Sequence, residues 1–389
     1  MINNRRFSRW DSMAKKWGKY SFACRVVGGI LIFICILFHF IHFKRYNEKS
    51  IGIKYILQWT KQDTIPFALM GSGHQTFVDR KCIWQNCYVT GDREYFEDVT
   101  NFDAVLFHGP EIVREKWKLP FHRSPKQKYV FVSWESSHYY KVKDRIYDNF
   151  FNWTWTFRLD SDIPLTYLIV RDIEGNIIGP KETMHWINIE EMKPTTEEVK
   201  KNLYNKKNGA AWFVSNCNSK SKREALVKNL NIALGKYNIS VDVYGPCGKF
   251  VCPRPKMKEC LEKIKNDYYF YMSLENSFNE DYVTEKLLHA LQNYAVPIVY
   301  GGANYTRFMP DGIYLDAKKL NITELAQEMN DIINDRERYY DFFKWHNHYS
   351  YHGINDAPDS DAFCRFCALL NNPDLTNKST VYKDFRNWW

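Results

Sequence analysis

From residue 210 to residue 300 the chain alternates short apolar runs with stretches whose apolar side chains recur every three or four positions, a rhythm that few folds accommodate. The runs at 210–214, 241–244, 268–274 and 296–300 have the length and composition of buried strands. Between them, 222–234 places apolar residues at 225, 226, 227, 230 and 234, one stripe of a helix, and a second helix is expected over 281–295. Helical spacing returns from 323 to 345. Strands separated by helices predict a parallel sheet covered on both faces. The first half adds strand-like runs at 104–107, 129–133 and 154–157, and a Lys- and Glu-rich passage from 181 to 208 reads as the connection between halves. The expected fold class is α/β, with domains at 61–195 and 196–389 and a cleft between them.

Ahead of these domains lie a basic tail (1–21) and an apolar run at 22–43, interrupted by Arg25, His39 and His42. A bilayer-spanning helix needs about 20 apolar residues, and its cationic flank stays cytoplasmic. The run ends in Phe-His-Phe-Ile-His-Phe, which offers no small-residue cleavage site, so a signal-anchor is expected rather than a removed leader. The implied topology is single-pass type II, with a stem at 44–60 and the domains on the lumenal side. The first 25 residues hold seven bases against one acid, and so carry +6 of the net +9. The +3 that remains argues against a nucleic-acid partner.

Two of the ten cysteines, Cys24 and Cys35, lie in or beside the apolar run. The other eight are an even number, which suits disulfides in an oxidising compartment. Cys82-x4-Cys87 together with Cys364-x-x-Cys367 also has ligands enough for a tetrahedral zinc site, so both readings stand at this point. Sequons at Asn152, Asn238, Asn304, Asn321 and Asn377 are candidates for N-glycosylation.

The stretch 268–286 reads as strand, polar turn and helix, the place where an α/β sheet meets phosphorylated ligands. It lacks the glycines of a phosphate-binding loop, so side chains must hold the phosphates. Tyr282, Glu285 and Lys286 supply a phenol, a carboxylate suited to ribose hydroxyls and an ammonium suited to a diphosphate. A second strand-turn-helix leads from Val214-Ser215-Asn216 to Arg223, whose guanidinium can take a phosphate through two bonds. Lys220 and Lys222 are assigned no role.

The whole string from Phe270 to Lys286 resembles the donor-binding signature of the α1,3-fucosyltransferases, and Val-Ser-Asn followed seven residues on by Arg is similar to that family's other donor motif. The resemblance spans about residues 100–370, with the motifs in the family's order. It implies a GT-B architecture, GDP-fucose as donor substrate, no cofactor for the chemistry and no divalent metal. It further implies that Arg223 and Lys286 neutralise the diphosphate with help from the Tyr282 hydroxyl, that Glu285 binds ribose, and that Asn276 lies near the sugar-phosphate end. Ser215, Asn216, Tyr244, Gly245 and Tyr271 would line the nucleotide pocket, with Tyr167 near the donor. Glu275 either orients that pocket or merely ends the strand.

Fucosyl transfer from a β-linked donor to an α-linked product inverts the anomeric carbon and needs one general base. Glu135, in Phe131-Val-Ser-Trp-Glu-Ser-Ser-His138, follows a strand directly and is the candidate. The family motif has Glu-Ser-Pro, so Ser137 is expected to loosen this turn. Asp160-Ser-Asp162 looks like a metal clamp, but it sits in the first domain, away from the cations, and is read as structural or acceptor-side. His74 and His138 are read as packing or cleft-wall residues. A non-catalytic glycan-binding relative would be favoured had Glu135, Arg223 or Lys286 been replaced; all three are present.

The resemblance also implies that Cys364 and Cys367 pair with Cys82 and Cys87, and that Cys247, Cys252 and Cys260 pair locally, with Cys217 unassigned. The region from Gly71 to Cys87 looks more like invertebrate and plant enzymes that fucosylate the N-glycan core. The expected acceptor is therefore GlcNAc of the N-glycan chitobiose core on a glycoprotein, with Lewis-type transfer to antennal GlcNAc as the alternative. The expected location is the Golgi membrane.

Overall fold

β1 (Lys54–Gln58), β2 (Cys87–Thr90), β3 (Ala104–His108), β4 (Lys128–Ser133), β5 (Trp153–Thr156) and β6 (Ile163–Pro164) form one parallel sheet in spatial order β2-β1-β3-β4-β5-β6. β7 (Leu168–Asp172) and β8 (Ile177–Gly179) leave it for a small antiparallel sheet. β9 (Asn208–Phe213), β10 (Val241–Tyr244), β11 (Tyr268–Leu274), β12 (Val296–Tyr300) and β13 (Leu315–Asp316) form the second parallel sheet, ordered β10-β9-β11-β12-β13. β14 (Tyr349–Gly353) then returns to pair antiparallel with β7. This computed structural model describes residues 52–389 apart from Asn355 and Ser379. The tail, the apolar run at 22–43, Cys24 and Cys35 lie outside the described residues; among those described, no helix is long and apolar enough to cross a membrane.

β11 is central, and all of it but Tyr269 is buried, as its unbroken apolar run requires. On one face the helices Arg223–Leu234 and Ile322–Asn334 set Val227, Leu230, Leu325 and Met329 against Trp212, Phe270 and Met272. On the other, Ile264 of the helix Met257–Asp267 packs with Tyr268 and Tyr271. Two parallel sheets, each layered with helices, match the expected two-domain α/β arrangement.

Three expectations need correction. The stem assigned to 44–60 contains β1, because Tyr55, Ile56 and Leu57 are fully buried in the first sheet. The helix expected from 281 begins at Glu285. Residues 362–389, assigned to the second domain, pack on the first, while β14 pairs with β7 and sets Tyr349 and Tyr351 against Leu287 and Leu288 of the second. On the first, the helix Ala362–Leu370 stacks Phe366 on Trp155 with ring centroids 4.7 Å apart, and Phe385 and Trp389 each lie 4.8 Å from Phe131. The first sheet has wide apolar faces and few long helices of its own, so the returning segment covers them.

Disulfides Cys82–Cys364 and Cys87–Cys367 pin that return, which removes the zinc alternative for these residues. Cys252 pairs locally with Cys260, but the partner of Cys247 is Cys217. These two follow the adjacent parallel strands β10 and β9, which end at the same sheet edge. Of the sequons, Asn238, Asn304, Asn321 and Asn377 are exposed. Asn152 is not: it is 5% exposed, its Oδ1 accepts from the Tyr129 N–H at 2.8 Å and from the Arg123 guanidinium, and its Nδ2 donates to the Thr380 carbonyl at 2.8 Å.

Glycopeptide mass spectrometry should find Asn152 unmodified; a glycan there would contradict this packing. Removing both end disulfides should cost about 5 kcal/mol in guanidinium unfolding, because they close a loop with a sequence separation of 282. Removing either alone should cost far less, since the other still closes it.

Candidate active site

Glu275 follows β11 and turns its carboxylate inward, 1% exposed. Its Oε1 accepts from the Thr284 N–H and Oγ1, both at 2.9 Å, and its Oε2 from Thr284 Oγ1 at 3.1 Å and Lys286 Nζ at 3.2 Å. These bonds settle the earlier ambiguity: Glu275 organises the turn. They also explain the late helix start, since Thr284 is committed to Glu275 and Asp281 is left-handed at φ 56°. Burial pushes the Glu275 carboxyl above its ordinary range, opposed by Lys286.

The Lys286 ammonium donates to Glu275, to Thr284 Oγ1 at 2.6 Å and to Glu285 at 3.2 Å, so its three protons are all engaged. Burial pulls its pKa down, but the charges of Glu275 and Glu285 outweigh that and hold it above the usual lysine value. Burial pushes the Glu285 carboxyl up, and Lys286 and His289 overcome this to hold it at about 2. Both groups are therefore ionised at neutral pH.

Arg223 is buried at the start of its helix and donates through Nη1 to the Leu274 carbonyl at 2.6 Å and, at 3.5 Å, through Nη2 to that of Asn216. It ties together the segments following β9 and β11, and its Nε lies buried without a hydrogen-bond partner among the described residues. Ser215 and Asn216 lie just beyond β9, with Ser215 exposed, and Gly245 just beyond β10. At φ +103°, with a Cβ that would sit 2.4 Å from the Val214 carbonyl oxygen, Gly245 admits no side chain. Asn276 follows Glu275, its carbonyl accepting from the Ser221 N–H at 3.1 Å. Tyr271 is buried with its hydroxyl 3.4 Å from His289 Nδ1. The Tyr244 hydroxyl meets that of Tyr268 at 2.7 Å, which donates to Asp242.

From the other domain, Glu135 stands at the end of β4. The Ser133 hydroxyl donates to the Glu135 carbonyl at 2.9 Å, and Ser136 Oγ accepts from the His138 N–H at 3.1 Å. The Ser137 hydroxyl accepts from Asn279 Nδ2 of the other domain. Tyr139 donates to the Asn276 carbonyl at 3.3 Å and accepts from the Lys220 N–H at 3.0 Å, while Lys220 Nζ reaches the His138 carbonyl. Hydrogen bonds to the opposite domain thus hold what a proline would have stiffened. Lys220, given no role from sequence, is part of that contact.

Glu135 Oε2 lies 3.5 Å from the Tyr282 hydroxyl. Glu135 keeps an exposed surface, yet the walls around its carboxyl desolvate it and raise its pKa, against the lowering pull of Lys286. Burial, with nearby tyrosine and glutamate charges, holds the Tyr282 phenol well above its usual range, so it remains a donor. Its hydroxyl points to Glu135 rather than standing free for a diphosphate. Tyr167 braces the same wall, donating to the Trp134 carbonyl at 2.8 Å. Of the residues singled out in the sequence, Glu135, Tyr282, Glu285 and Lys286 stand close enough to interact electrostatically, while Arg223 lies buried behind the strand ends; the sequence reading misses Thr284, Tyr139 and Asn279, whose bonds are non-local.

Asp160 is bound by Arg158 at 2.8 and 2.7 Å and by Trp388 at 3.0 Å; Asp162 accepts from the Thr154 N–H at 2.8 Å and from Tyr382 at 2.9 Å. Both carboxylates brace their own domain. His74 packs edge-on against Tyr88, with Nδ1 2.9 Å from the Cys87 carbonyl.

Residues 52–168 match the family described as Fucosyltransferase, N-terminal, and residues 203–388 the family described as Glycosyltransferase family 10 (fucosyltransferase) C-term. Alpha-(1,3)-fucosyltransferase C of Drosophila melanogaster is 34% identical over 361 residues, covering 90% of this chain and 80% of that one. Glycoprotein 3-alpha-L-fucosyltransferase A of the same species is 29% identical over 321 residues, 82% of this chain and 57% of its own. A crystal structure of an α1,3-fucosyltransferase with GDP has the same fold, at TM-score 0.50 and 16% identity, covering 85% of this chain and 92% of its own.

Lys286→Met should strand the Glu275 carboxylate without its counter-charge and destabilise the chain by about 3 kcal/mol, read by chemical denaturation. Unchanged stability would show that Thr284 alone satisfies Glu275.

Proposed function

Because the chain belongs to glycosyltransferase family 10 and is an α1,3-fucosyltransferase, we propose that it transfers L-fucose from GDP-β-L-fucose to GlcNAc of N-glycans by a single inverting displacement. The observation that carries this reading is the position of the Glu135 carboxylate, 3.5 Å from the hydroxyl of Tyr282, across the cleft from Lys286. Glu135 takes the proton of the acceptor hydroxyl as its oxygen attacks the fucose anomeric carbon. The bond from that carbon to the β-phosphate oxygen breaks, and GDP leaves with the electron pair. Lys286 and Arg223 meet the charge growing on the phosphate, an electrostatic stabilisation that is strong in a desolvated site. In this reading the phosphate replaces Glu285 on Lys286, because Glu285 is the half-exposed partner and Glu275 the buried one. Glu285 then turns to the ribose hydroxyls. Ser215, Asn216, Gly245 and Tyr271 border the nucleotide, and Asn276 the sugar-phosphate end.

The preferred acceptor is the chitobiose core, on the likeness of the 71–87 region to core-fucosylating enzymes; antennal GlcNAc is the second reading. The apolar run at 22–43 is proposed to anchor the protein in the Golgi membrane with both domains lumenal.

Glu135→Gln should lower kcat by about 10²-fold or more, while the KM for GDP-fucose changes little. Protonated Glu135 cannot accept a proton, so activity falls as pH drops through its raised pKa. The acid limb of kcat/KM should therefore lie above the ordinary value of 4.5 and vanish in the variant. Full activity of Glu135→Gln would remove it as base. Assays on defined N-glycans with and without EDTA should show transfer to the core GlcNAc that survives the chelator.

A further inference from the structure

The cleft lies at the C-terminal ends of the strands, where Glu135 follows β4 and Glu275 follows β11. β1, β3 and β4 run parallel, so the chain approaches the first sheet at the opposite edge, through Gly52 and Lys54. The loop between Cys82 and Cys87 lies at that same edge. Lys54 is in register with Cys87, the Lys54 N–H donates to the Asn86 carbonyl at 2.7 Å, and Asn86 Nδ2 donates to the Gly52 carbonyl at 2.7 Å. Both ends of this loop are stapled by disulfides to the helix Ala362–Leu370. At its tip Ile83 is 92% exposed and Trp84 44%, with exposed Lys81 beside them. A rigid loop that presents an aliphatic, an indole and an ammonium to solvent gains nothing for the core that it leaves.

We propose that Ile83 and Trp84 rest in the lipid headgroup region, a second membrane contact that holds the cleft facing away from the bilayer. This rests on the proposed anchor. Only eight residues, 44–51, separate the apolar run from Gly52. Fully extended they reach about 30 Å, so the loop's edge of the domain is kept near the membrane surface. Indole rings settle at the headgroup level, where one face is apolar and the N–H is wet. Lys81 adds attraction to anionic lipid. Oriented this way, the enzyme keeps its cleft open to glycans approaching from the lumen.

The test uses the full chain in nanodiscs of phosphatidylcholine and phosphatidylserine, with bromine on the acyl chains as quencher. Trp84→Phe should remove part of the bromolipid-dependent tryptophan quenching. Amides 83–86 should exchange about tenfold more slowly in wild-type discs than in discs carrying Ile83→Asp. Equal quenching in wild type and Trp84→Phe, together with unchanged exchange, overturns the inference while leaving the anchor intact. Protection that appears only when two copies share a disc also overturns it, in favour of a contact between copies. A chain that never enters discs overturns the anchor, and this inference with it.

Discussion

A carboxylate buried at the end of the central strand of the second sheet organises everything around it. Glu275 has water on no side, so it must be satisfied by protein, and the nearest donors are Thr284 and Lys286. Meeting them bends the chain through the turn at 276–284 and delays the helix to Glu285. The same bonds fix the Lys286 ammonium at the sheet edge, charged, with Arg223 close beneath the strand ends. Close approach makes this possible at Gly302, where a Cβ would lie 2.4 Å from the Asn279 nitrogen. The turn so formed offers Asn279 and the Asn276 carbonyl to the Ser137 and Tyr139 side chains of the other domain. One buried acid thus sets both the cation of the site and the docking surface for the segment bearing Glu135.

The two domains are joined by more than their connection. β14 pairs with β7, the returning helix fills the first sheet's face, and two disulfides lock it there. Asp281 adds a bond across the cleft, accepting from the Leu159 N–H at 3.1 Å while paired with Arg307 at 2.7 Å. If Glu135 is the base proposed above and Lys286 the cation, they can act on one reaction only when their separation is controlled. These crossings supply that control. The segment after Glu135 is held by bonds to the other domain, from Asn279 to Ser137 and from Tyr139 to the Asn276 carbonyl.

Much of this was legible beforehand. β10, β11 and β12 run where their apolar stretches run, because turn-forming residues bound each of them. Glu135 stood out by its place after a strand, and Arg223 and Lys286 by the helix-start motifs they close. What could not be read were contacts between residues far apart in sequence. The bond from Glu275 to Thr284 spans nine residues and moved a helix boundary; the return of 362–389 to the first domain reflects which apolar face lacked cover, and periodicity does not say which sheet a helix will choose. Nor could the sequence say that a neighbouring tyrosine on β11 engages the hydroxyl of Tyr244, which the family resemblance had set beside the nucleotide. Asn152 carried a sequon and proved to be a core hydrogen-bonding residue, since a three-residue pattern says nothing about burial.

The central claim is that the turn ordered by Glu275 presents Lys286 to the donor's diphosphate opposite Glu135. A crystal structure with GDP tests it most directly. The account predicts a β-phosphate oxygen about 3 Å from Lys286 Nζ, with Glu285 displaced from that nitrogen and Glu275 still bound to it. A diphosphate lodged away from Lys286, with the Glu285 ion pair undisturbed, would contradict it.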